Sequence, residues 1–483
     1  MTTLNCFRPR HLPIAACLWA AFASSATAAA ARRADAALLP HPQNGRAVHR
    51  ELPLHFVGGL PNTPWESLVR EGRPISIQQV TNCDDDGPGS LRAEVAAAVS
   101  GDTIDLSQMG CSTITLGSEI KIYQDNLRLM GPGADQLTID GNAHSRIFDH
   151  QGNGTLNVYD MSIVNGYSTS GGGCLVGRSV SLIRSTVSHC RVVATGALGQ
   201  QFGGGGISST DLVLDNSEIS FNYVQATTNA VSGGGIYVSG NFTAKYSTIS
   251  NNVAYSANNQ SRGGGIRVGN EATIQESTIS RNRSAIGGGI YFYNAAPGYS
   301  GYLANSTISS NVATSEGAGV VTLASIRLFN STVVLNATRG ARVGSGLLSK
   351  NVNATFALYS SIVAGNGGSD GPGDIGAVDP ATPDPTAQNN IVVSSTFNLP
   401  ADTIRACPRI EPLANNGGPT LTHALAHDSP GIDHGFNPRN LLMDQRLALR
   451  AAGMQTDIGS VERQASELDE RIFISGFDGL CDQ

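Results

Sequence analysis

The chain has 483 residues and a net charge of −7, and only 14% of its residues are charged, whereas 57 are glycine. This charge balance argues against nucleic acid or an anionic membrane surface as the main partner, because either would require a basic face. The length and composition favour one long repeat with small end modules over several globular domains.

The N-terminus has the pattern of a secretory signal peptide, which we predict over residues 1–28. Arg8 and Arg10 precede a short apolar stretch at 12–23, and an A-x-A cleavage pattern follows at 26–28. No later apolar stretch is long enough to cross a bilayer, so the mature chain is expected to have no transmembrane helix. The sequence therefore predicts a secreted or cell-surface protein.

A small cap module is predicted at 75–112, ahead of the repeats. Ser90 can cap a short helix at 91–99, since serine accepts hydrogen bonds from the free amides of a first helical turn. The apolar face of this helix would consist of Leu91, Val95 and Ala98. Such a cap would cover the open end of a repeat structure, whose unpaired edge otherwise invites aggregation.

A polar motif of the form STISxN recurs through the middle of the chain. Its central Val or Ile occupies positions 187, 219, 249, 279, 308 and 333. A tract of glycines followed by an aliphatic residue precedes the motif. An internal repeat with a period of roughly thirty residues indicates a solenoid, a propeller or an array.

The local periods within one unit indicate which solenoid this is. In residues 232–252, apolar and polar residues alternate in three short runs, near 236–239, 242–245 and 248–250. Period-2 runs are typical of strands, and no unit has a helical stripe. We therefore predict an all-β fold, a right-handed parallel β-helix with seven or eight turns over 113–400.

The glycine tracts are interpreted as corners that repeat on every turn. Glycine adopts positive φ without strain, and asparagine is the other residue that tolerates this region best. Gly234 is therefore expected to have a positive φ, and Gly234→Val is expected to be costly for that reason. The paired Asn251 and Asn252 are given the same interpretation.

The repeats also resemble those of known bacterial proteins. The glycine tract followed by STISxN, over about 160–365, resembles the parallel β-helix repeats of bacterial surface proteins, including polymorphic outer-membrane proteins. Residues 80–107 resemble a motif that precedes such helices in secreted bacterial proteins. The resemblance implies a secreted or surface-attached protein without a defined activity.

A second resemblance covers the predicted C-terminal module, 401–465. Residues 415–435, the triplet Asp-Gln-Arg at 444–446, Arg450 and the stretch 456–462 resemble a choice-of-anchor Q domain. This resemblance implies attachment at the cell surface. The remaining predicted segments are a poorly structured stretch at 29–74 and a tail at 466–483.

Six cysteines remain once the predicted signal is removed, an even number that suits an oxidising compartment. Fifteen pairings are open to them. Their positions in the predicted organisation favour three disulfides: Cys83–Cys111, Cys174–Cys190 and Cys407–Cys481. A zinc site is the alternative, but no pair has C-x-x-C spacing.

Catalysis on a β-helix would need charged residues clustered on neighbouring turns, either paired carboxylates or calcium with a base. The outward charges of the repeats are expected to be scattered: Asp211, Asp215, Glu218, Lys245, Arg262, Arg267, Glu271, Glu276, Arg281, Arg283 and Glu316. Arg267, Arg281 and Arg283 could form a small basic patch. Asp84, Asp85 and Asp86 are interpreted as a turn, with calcium binding as the alternative.

Histidines in the C-terminal module could be drawn as a hydrolase site. The group comprises His423, His427 and His434 with Asp428, Asp433, Asp444 and Ser429. No nucleophile elbow or zinc-protease helix accompanies them, so hydrogen bonding within the module is the preferred interpretation.

These observations predict an exported surface protein with a structural or adhesive role, for which a cell-surface or extracellular glycan is the candidate partner. No catalytic residue, cofactor or metal is assigned. The alternative is a carbohydrate-active enzyme, a polysaccharide lyase or glycoside hydrolase, on the same scaffold.

Overall fold

The sequence repeat folds into one turn of a parallel β-helix. In the unit 232–256 the chain forms the strands Ile236–Val238, Phe242–Lys245, Thr248–Ser250 and Val253–Ser256. The prediction of three strands per turn is therefore one too few. The fourth strand has no clear alternation of apolar and polar residues, because its inward positions hold alanine and serine.

The structure is a computed structural model that describes residues 76–195, 202–294, 299–340, 344–368 and 371–467. Within these ranges, no helix combines the length and the apolar character needed to cross a bilayer. The predicted signal peptide, the segment at 29–74 and nearly all of the predicted tail lie outside the described residues.

The largest sheet, which we call the first face, contains twenty strands and receives up to two strands from each turn. Its strands are Ile77–Gln79, Thr103–Asp105, Ile120–Ile122, Leu127–Met130, Phe148–His150, Thr155–Tyr159, Leu175–Ile183, Ile207–Asp215, Ile236–Val238, Phe242–Lys245, Ile266–Val268, Ala272–Gln275, Ile290–Phe292, Tyr299–Ala304, Val320–Thr322, Ser325–Phe329, Leu347–Ser349, Phe356–Tyr359, Ile375–Ala377 and Thr386–Gln388.

Two further sheets complete the helix. The second face has eleven strands: Thr113–Thr115, Thr138–Asp140, Ser162–Val164, Thr186–Ser188, Glu218–Ser220, Thr248–Ser250, Thr278–Ser280, Thr307–Ser309, Thr332–Val334, Ile362–Ala364 and Ile391–Val392. The third face has nine: Tyr167–Ser168, Arg191–Ala194, Tyr223–Ala226, Val253–Ser256, Arg283–Ile286, Val312–Glu316, Ala337–Thr338, Gly367–Gly368 and Gly371–Pro372. A two-stranded sheet joins Phe202–Gly203 to Val231–Ser232.

The number of turns is larger than the sequence predicts. Eleven strands stack on the second face, against a prediction of seven or eight turns. The first inward positions of that face, Ile114, Ile139, Ile163 and Val187, follow one another at intervals of 24 or 25 residues, shorter than most of the later intervals. The turns of Ile114, Ile139 and Ile163 lack the STISxN motif, so the motif alone leads to too low a number of turns.

Parallel register places identical positions of successive turns above one another in the core. On the first face, Ile207, Ile236, Ile266 and Ile290 pair in sequence, and each of their side chains is fully buried. Columns of this kind merge into one apolar cluster that extends from Val80 to Phe397. Because each inward side chain packs on its equivalents one turn above and below, the core is continuous along the whole stack.

The glycine tracts serve two different purposes, which corrects the prediction for Gly234. Only the first glycine of the tract, Gly233, has a positive φ, of 66°. A Cβ atom on Gly234 would lie 2.1 Å from the carbonyl oxygen of Gly264 on the next turn. The first glycine is therefore required by its dihedral angle and Gly234 by the close approach of two backbones.

The paired asparagines also divide into two roles. Asn251 has a φ of 57°, as predicted, whereas Asn252 belongs to a buried ladder along the axis. In this ladder the Oδ1 of each asparagine accepts hydrogen bonds from the backbone amide and the side-chain amide of the preceding member, at 2.8–3.1 Å. The members are Asn222, Asn252, Asn282, Asn311, Asn336 and Asn366, and Asp374 ends the row.

A second ladder runs along the corner between the first and second faces. The backbone amide of each serine donates to the Oγ of the serine on the next turn, at 3.0–3.3 Å. The row comprises Ser185, Ser217, Ser247, Ser277, Ser306, Ser331 and Ser361 and ends at Asn390. The recurrence of the STISxN motif along this chain therefore reflects two polar rows that satisfy buried backbone amides.

The N-terminal helix forms close to where the sequence places it, at Leu91–Ala97. The Oγ of Ser90 accepts a hydrogen bond from the Ala93 amide at 3.2 Å, as an N-cap does. Leu91, Val95 and Ala98 are buried and join the main core. The only other helical element among the described residues is the 3-10 turn Ala465–Glu467.

The segment 401–467, which we call the C-terminal segment, lies along the side of the β-helix. It covers outward threonines of the second face, where Thr278, Thr307 and Thr332 are almost fully buried. Gln445 donates to the Thr278 hydroxyl at 2.9 Å and accepts from the Thr307 hydroxyl at 2.6 Å.

At the C-terminal end of the stack, Phe397 packs edge-on against Phe356 in the core.

Candidate functional site

A cleft opens on the outer side of the first face, at the ends of strands from four consecutive turns. We call it the arginine cleft. Its volume is about 480 Å³, and it is lined by Tyr237, Ser239, Arg267, Gly269, Asn270, Tyr293, Asn294 and Leu323. Strand pairing creates the arrangement, because Tyr237 pairs directly with Arg267, and Tyr293 follows the next strand of the same column.

Arg267 lies between two aromatic rings in this cleft. Its guanidinium carbon is 4.6 Å from the ring centre of Tyr237 and 4.5 Å from that of Tyr293, distances typical of cation–π contacts. The residue is only 5% exposed, and one terminal nitrogen donates to the Val238 carbonyl at 3.3 Å. Its buried Nε has no hydrogen-bond partner among the described residues.

The floor of the cleft is fixed by the turns that follow each strand. The Asn270 amide donates to the Gly240 carbonyl at 2.9 Å, and the Tyr293 amide donates to the Val268 carbonyl at 2.9 Å. A Cβ atom on Gly269 would lie 1.9 Å from the Ser239 carbonyl oxygen, so only glycine fits there. The polar groups of the cleft are therefore held by backbone contacts between turns.

Arg267 is the one charged residue among those that line the cleft, although the chain as a whole is acidic. None of its lining residues is a carboxylate. Beside it, the guanidinium carbon of Arg262 lies 5.8 Å from the ring centre of Tyr291, whose phenol pKa is raised by burial. The described residues include no group of three or more His, Cys, Asp or Glu side chains that could hold a metal ion.

The predicted basic patch does not form as a single surface. Arg267 lies on the first face, Arg281 is an exposed corner residue with a φ of 57°, and Arg283 belongs to the third face. These arginines are close in sequence but not on one surface. The chain passes around more than half of a turn between Arg267 and Arg283, so their side chains point in different directions. Arg267 is the one that lines a cleft.

Outward charges are less scattered than the sequence suggests. Five consecutive turns carry charges of alternating sign along one corner, namely Asp160, Arg184, Asp215, Lys245 and Glu276. Three of them, Asp215, Lys245 and Glu276, are among the outward charges that the sequence analysis expects to be scattered. Oppositely charged neighbours on successive turns attract each other and can stabilise the stack. These residues do not line the arginine cleft.

Glu276 is the most enclosed member of this charged row. It is 9% exposed, and its Oε2 has no hydrogen-bond partner among the described residues. Burial raises its pKa, and the nearby Lys245 ammonium lowers it by a smaller amount. The Thr420 hydroxyl of the C-terminal segment donates to the Glu276 backbone carbonyl at 3.2 Å, so this residue also lies where that segment packs.

The histidines of the C-terminal segment do not assemble into one site. His423 is buried, its Nε2 is 2.8 Å from the Ser309 hydroxyl, and its Nδ1 is 2.7 Å from the Glu411 carbonyl. Burial lowers its pKa to about 4. His427 and His434 are exposed. A buried Ser–His pair with no opening to solvent has a packing role.

The residues that carry the anchor-like resemblance converge in the structure. Asp444 and Arg446 form an ion pair at 3.0 Å, and Arg450 lies 3.8 Å from Glu462. All four are buried, and burial raises the pKa of Glu462 to about 7. Buried charges of this kind are tolerated only when paired, which makes the cluster a structural centre of the C-terminal segment.

At the N-terminal end, the acidic run forms a turn. Asp85 pairs with Arg92 at 2.6 Å, and the Gly87 amide donates to the Asp86 side chain at 2.7 Å. These contacts are those of a helix-entry turn, in line with the preferred interpretation.

Two disulfides lie between described cysteines, one from Cys83 to Cys111 and the other from Cys174 to Cys190. Cys190 occupies the asparagine-ladder position of its turn, since its amide donates to Asn222 Oδ1 at 3.0 Å. The third predicted pairing remains a prediction, because Cys481 lies outside the described residues.

Peptide mapping of oxidised protein should recover Cys174 linked to Cys190. The two cysteines have a sequence separation of 16, so removing the bridge in a Cys174→Ala, Cys190→Ala variant should lower the free energy of unfolding by about 3 kcal/mol. Free thiols at both positions in oxidised material would contradict the pairing.

The fold and the cleft together define a parallel β-helix protein with an aromatic and cationic cleft. A comparison with solved structures finds a similarity to the crystal structure of pectate lyase Pel9A, with 13% identity and a TM-score of 0.46, over 81% of this chain and 98% of that chain. No family model matches the sequence, and no curated protein matches it.

Proposed function

We propose that this chain is an exported β-helical protein of the cell surface that binds a glycan in the arginine cleft. The resemblance of its repeats and of its C-terminal segment to bacterial surface proteins supports the surface location. The observation that carries the glycan assignment is the cleft itself, with two tyrosine rings and several fixed polar groups on one rigid face.

A sugar ring presents an apolar face of C–H groups and a polar rim of hydroxyls. Tyr293 is 49% exposed and offers an aromatic surface against which the apolar C–H face of a sugar can pack. The amides of Asn270 and Asn294 and the Ser239 hydroxyl both donate and accept hydrogen bonds, as hydroxyl groups require. Their positions on strand ends of a stacked sheet make the site largely preformed, which lowers the cost of binding.

The cleft is better suited to binding than to cleavage. Glycoside hydrolysis needs a carboxylic acid and a second carboxylate, and no carboxylate lines this cleft. An arginine remains protonated at neutral pH and is a poor general base. A structural or adhesive role therefore has more support than the alternative of a carbohydrate-active enzyme.

A glycan array probed with the mature, oxidised protein should show binding to a subset of glycans. Tyr293→Ala should weaken that binding by about twofold to tenfold, since aromatic contacts contribute about 0.5–1.5 kcal/mol. The matched control is Tyr255→Ala, which removes a tyrosine of similar exposure, 42%, from the third face.

Binding that is equally reduced in the Tyr255→Ala control would contradict the assignment of the cleft. Absence of binding to any glycan would overturn the proposed function. Release of shortened or unsaturated sugars from a bound polymer would replace it with the enzymatic alternative.

A further inference from the structure

We infer that the arginine cleft selects glycans carrying an anionic group, and that Arg267 binds this group. The inference rests on the proposed glycan binding and adds the charge of the ligand. The buried Nε of the Arg267 guanidinium lacks a hydrogen-bond partner among the described residues. A buried donor without a partner costs about 1–3 kcal/mol, so a ligand that accepts from it gains an advantage.

Two tyrosine rings flank the guanidinium of Arg267, so part of its surroundings is already occupied. Rings 4.6 and 4.5 Å from the guanidinium carbon occupy space close to that group, and the Val238 carbonyl already accepts from one terminal nitrogen. The donors that remain are Nε and the other terminal nitrogen. An oxyanion with two oxygens, a carboxylate or a sulfate ester, matches such a pair of parallel N–H groups.

The charge of Arg267 is not neutralised by an acidic side chain. The described ion pairs do not include it, and the cleft lining contains no carboxylate. Arg262 adds a second positive charge over Tyr291, which is one turn further along the same column. The net charge of −7 opposes an anion only weakly at physiological salt, where charges more than about 8 Å apart are screened.

Carboxylates and sulfate esters both offer two oxygens that can accept from Arg267, and a calorimetric comparison can distinguish the two groups. Titration calorimetry would compare alginate oligomers, which carry carboxylates, with the same oligomers after reduction of the carboxylates to alcohols. A second arm would compare carrageenan oligomers, which carry sulfate esters, with their desulfated forms. The protein is the mature oxidised chain.

We expect the anionic form to bind at least tenfold more tightly than its neutral counterpart in one of the two arms. Arg267→Gln should abolish this preference, and Arg267→Lys should restore only part of it, because lysine keeps the charge without the paired donors. The matched control is Arg281→Gln, which removes an exposed arginine from a corner outside the cleft and should keep the full preference.

Equal binding of the anionic and neutral forms by the wild-type protein would overturn this inference and leave glycan binding in place. Absence of binding to every oligomer, together with a negative glycan array, would overturn the proposed function itself. If circular dichroism shows that Arg267→Gln does not fold, the comparison of anionic and neutral oligomers with the wild-type protein still tests the preference for anionic glycans.

Discussion

Asn252→Ala is expected to lower the free energy of unfolding by on the order of 2–5 kcal/mol, because the change removes an inner member of the asparagine ladder. The Oδ1 of Asn252 accepts from the backbone and side-chain amides of Asn222, both at 3.0 Å. Its Nδ2 donates to the Ile219 carbonyl at 2.9 Å. Asn252 is fully buried, and alanine leaves these buried groups without their partner.

The adjacent residue provides a matched control. Asn251 has a positive φ and lies outside the ladder, so Asn251→Gly keeps the backbone conformation and should change stability by less than about 1 kcal/mol. Urea unfolding followed by circular dichroism measures both variants. Equal midpoints for Asn252→Ala and the wild type would show that the ladder does not stabilise the stack.

Gly234→Ala is expected to destabilise the protein by about 1–3 kcal/mol or more, because the added methyl group has no space. Its Cβ would lie 2.1 Å from the Gly264 carbonyl oxygen and 2.5 Å from the Val253 carbonyl carbon. Both atoms belong to backbone of the stacked turns and cannot move aside as a flexible side chain could.

Gly110→Ala is the control for this substitution, since no atom lies within 4 Å of the Cβ position and its φ is not positive. Its unfolding midpoint should match that of the wild type. A normal thermal midpoint for Gly234→Ala would contradict the close approach of the two turns.

Much of the fold could be predicted because a β-helix repeats its local chemistry on every turn. The repeat spacing, the period-2 runs near Ile236 and Phe242 and the cap at Ser90 all depend on local patterns in the chain. The count of turns was too low because the early turns, around Ile114 and Ile139, achieve the same stacking with a shorter stretch of chain and without the motif.

The candidate site was much less accessible to sequence reasoning. Tyr237, Arg267 and Tyr293 come from three successive turns, and each is an ordinary outward residue of its own turn. Register places Tyr237 beside Arg267, and the turn after the next strand brings Tyr293 to the other side of the guanidinium. A search at the repeat spacing would have found this column, and it would also have found the alternating row of Asp215, Lys245 and Glu276.

The strand class, the repeat and the N-terminal cap follow from the sequence alone, because alternation and capping are properties of a few adjacent residues. The reasons why Gly234 is glycine and Asn252 is asparagine, and the position of the C-terminal segment, become visible only in the folded chain. Each of these depends on a neighbour one turn away or far along the chain, such as Gly264, Asn282 or the Thr278 hydroxyl that Gln445 contacts. A side chain that is required by another turn leaves no local signal, since its physical reason lies in the distance between two backbones rather than in its own stretch of chain.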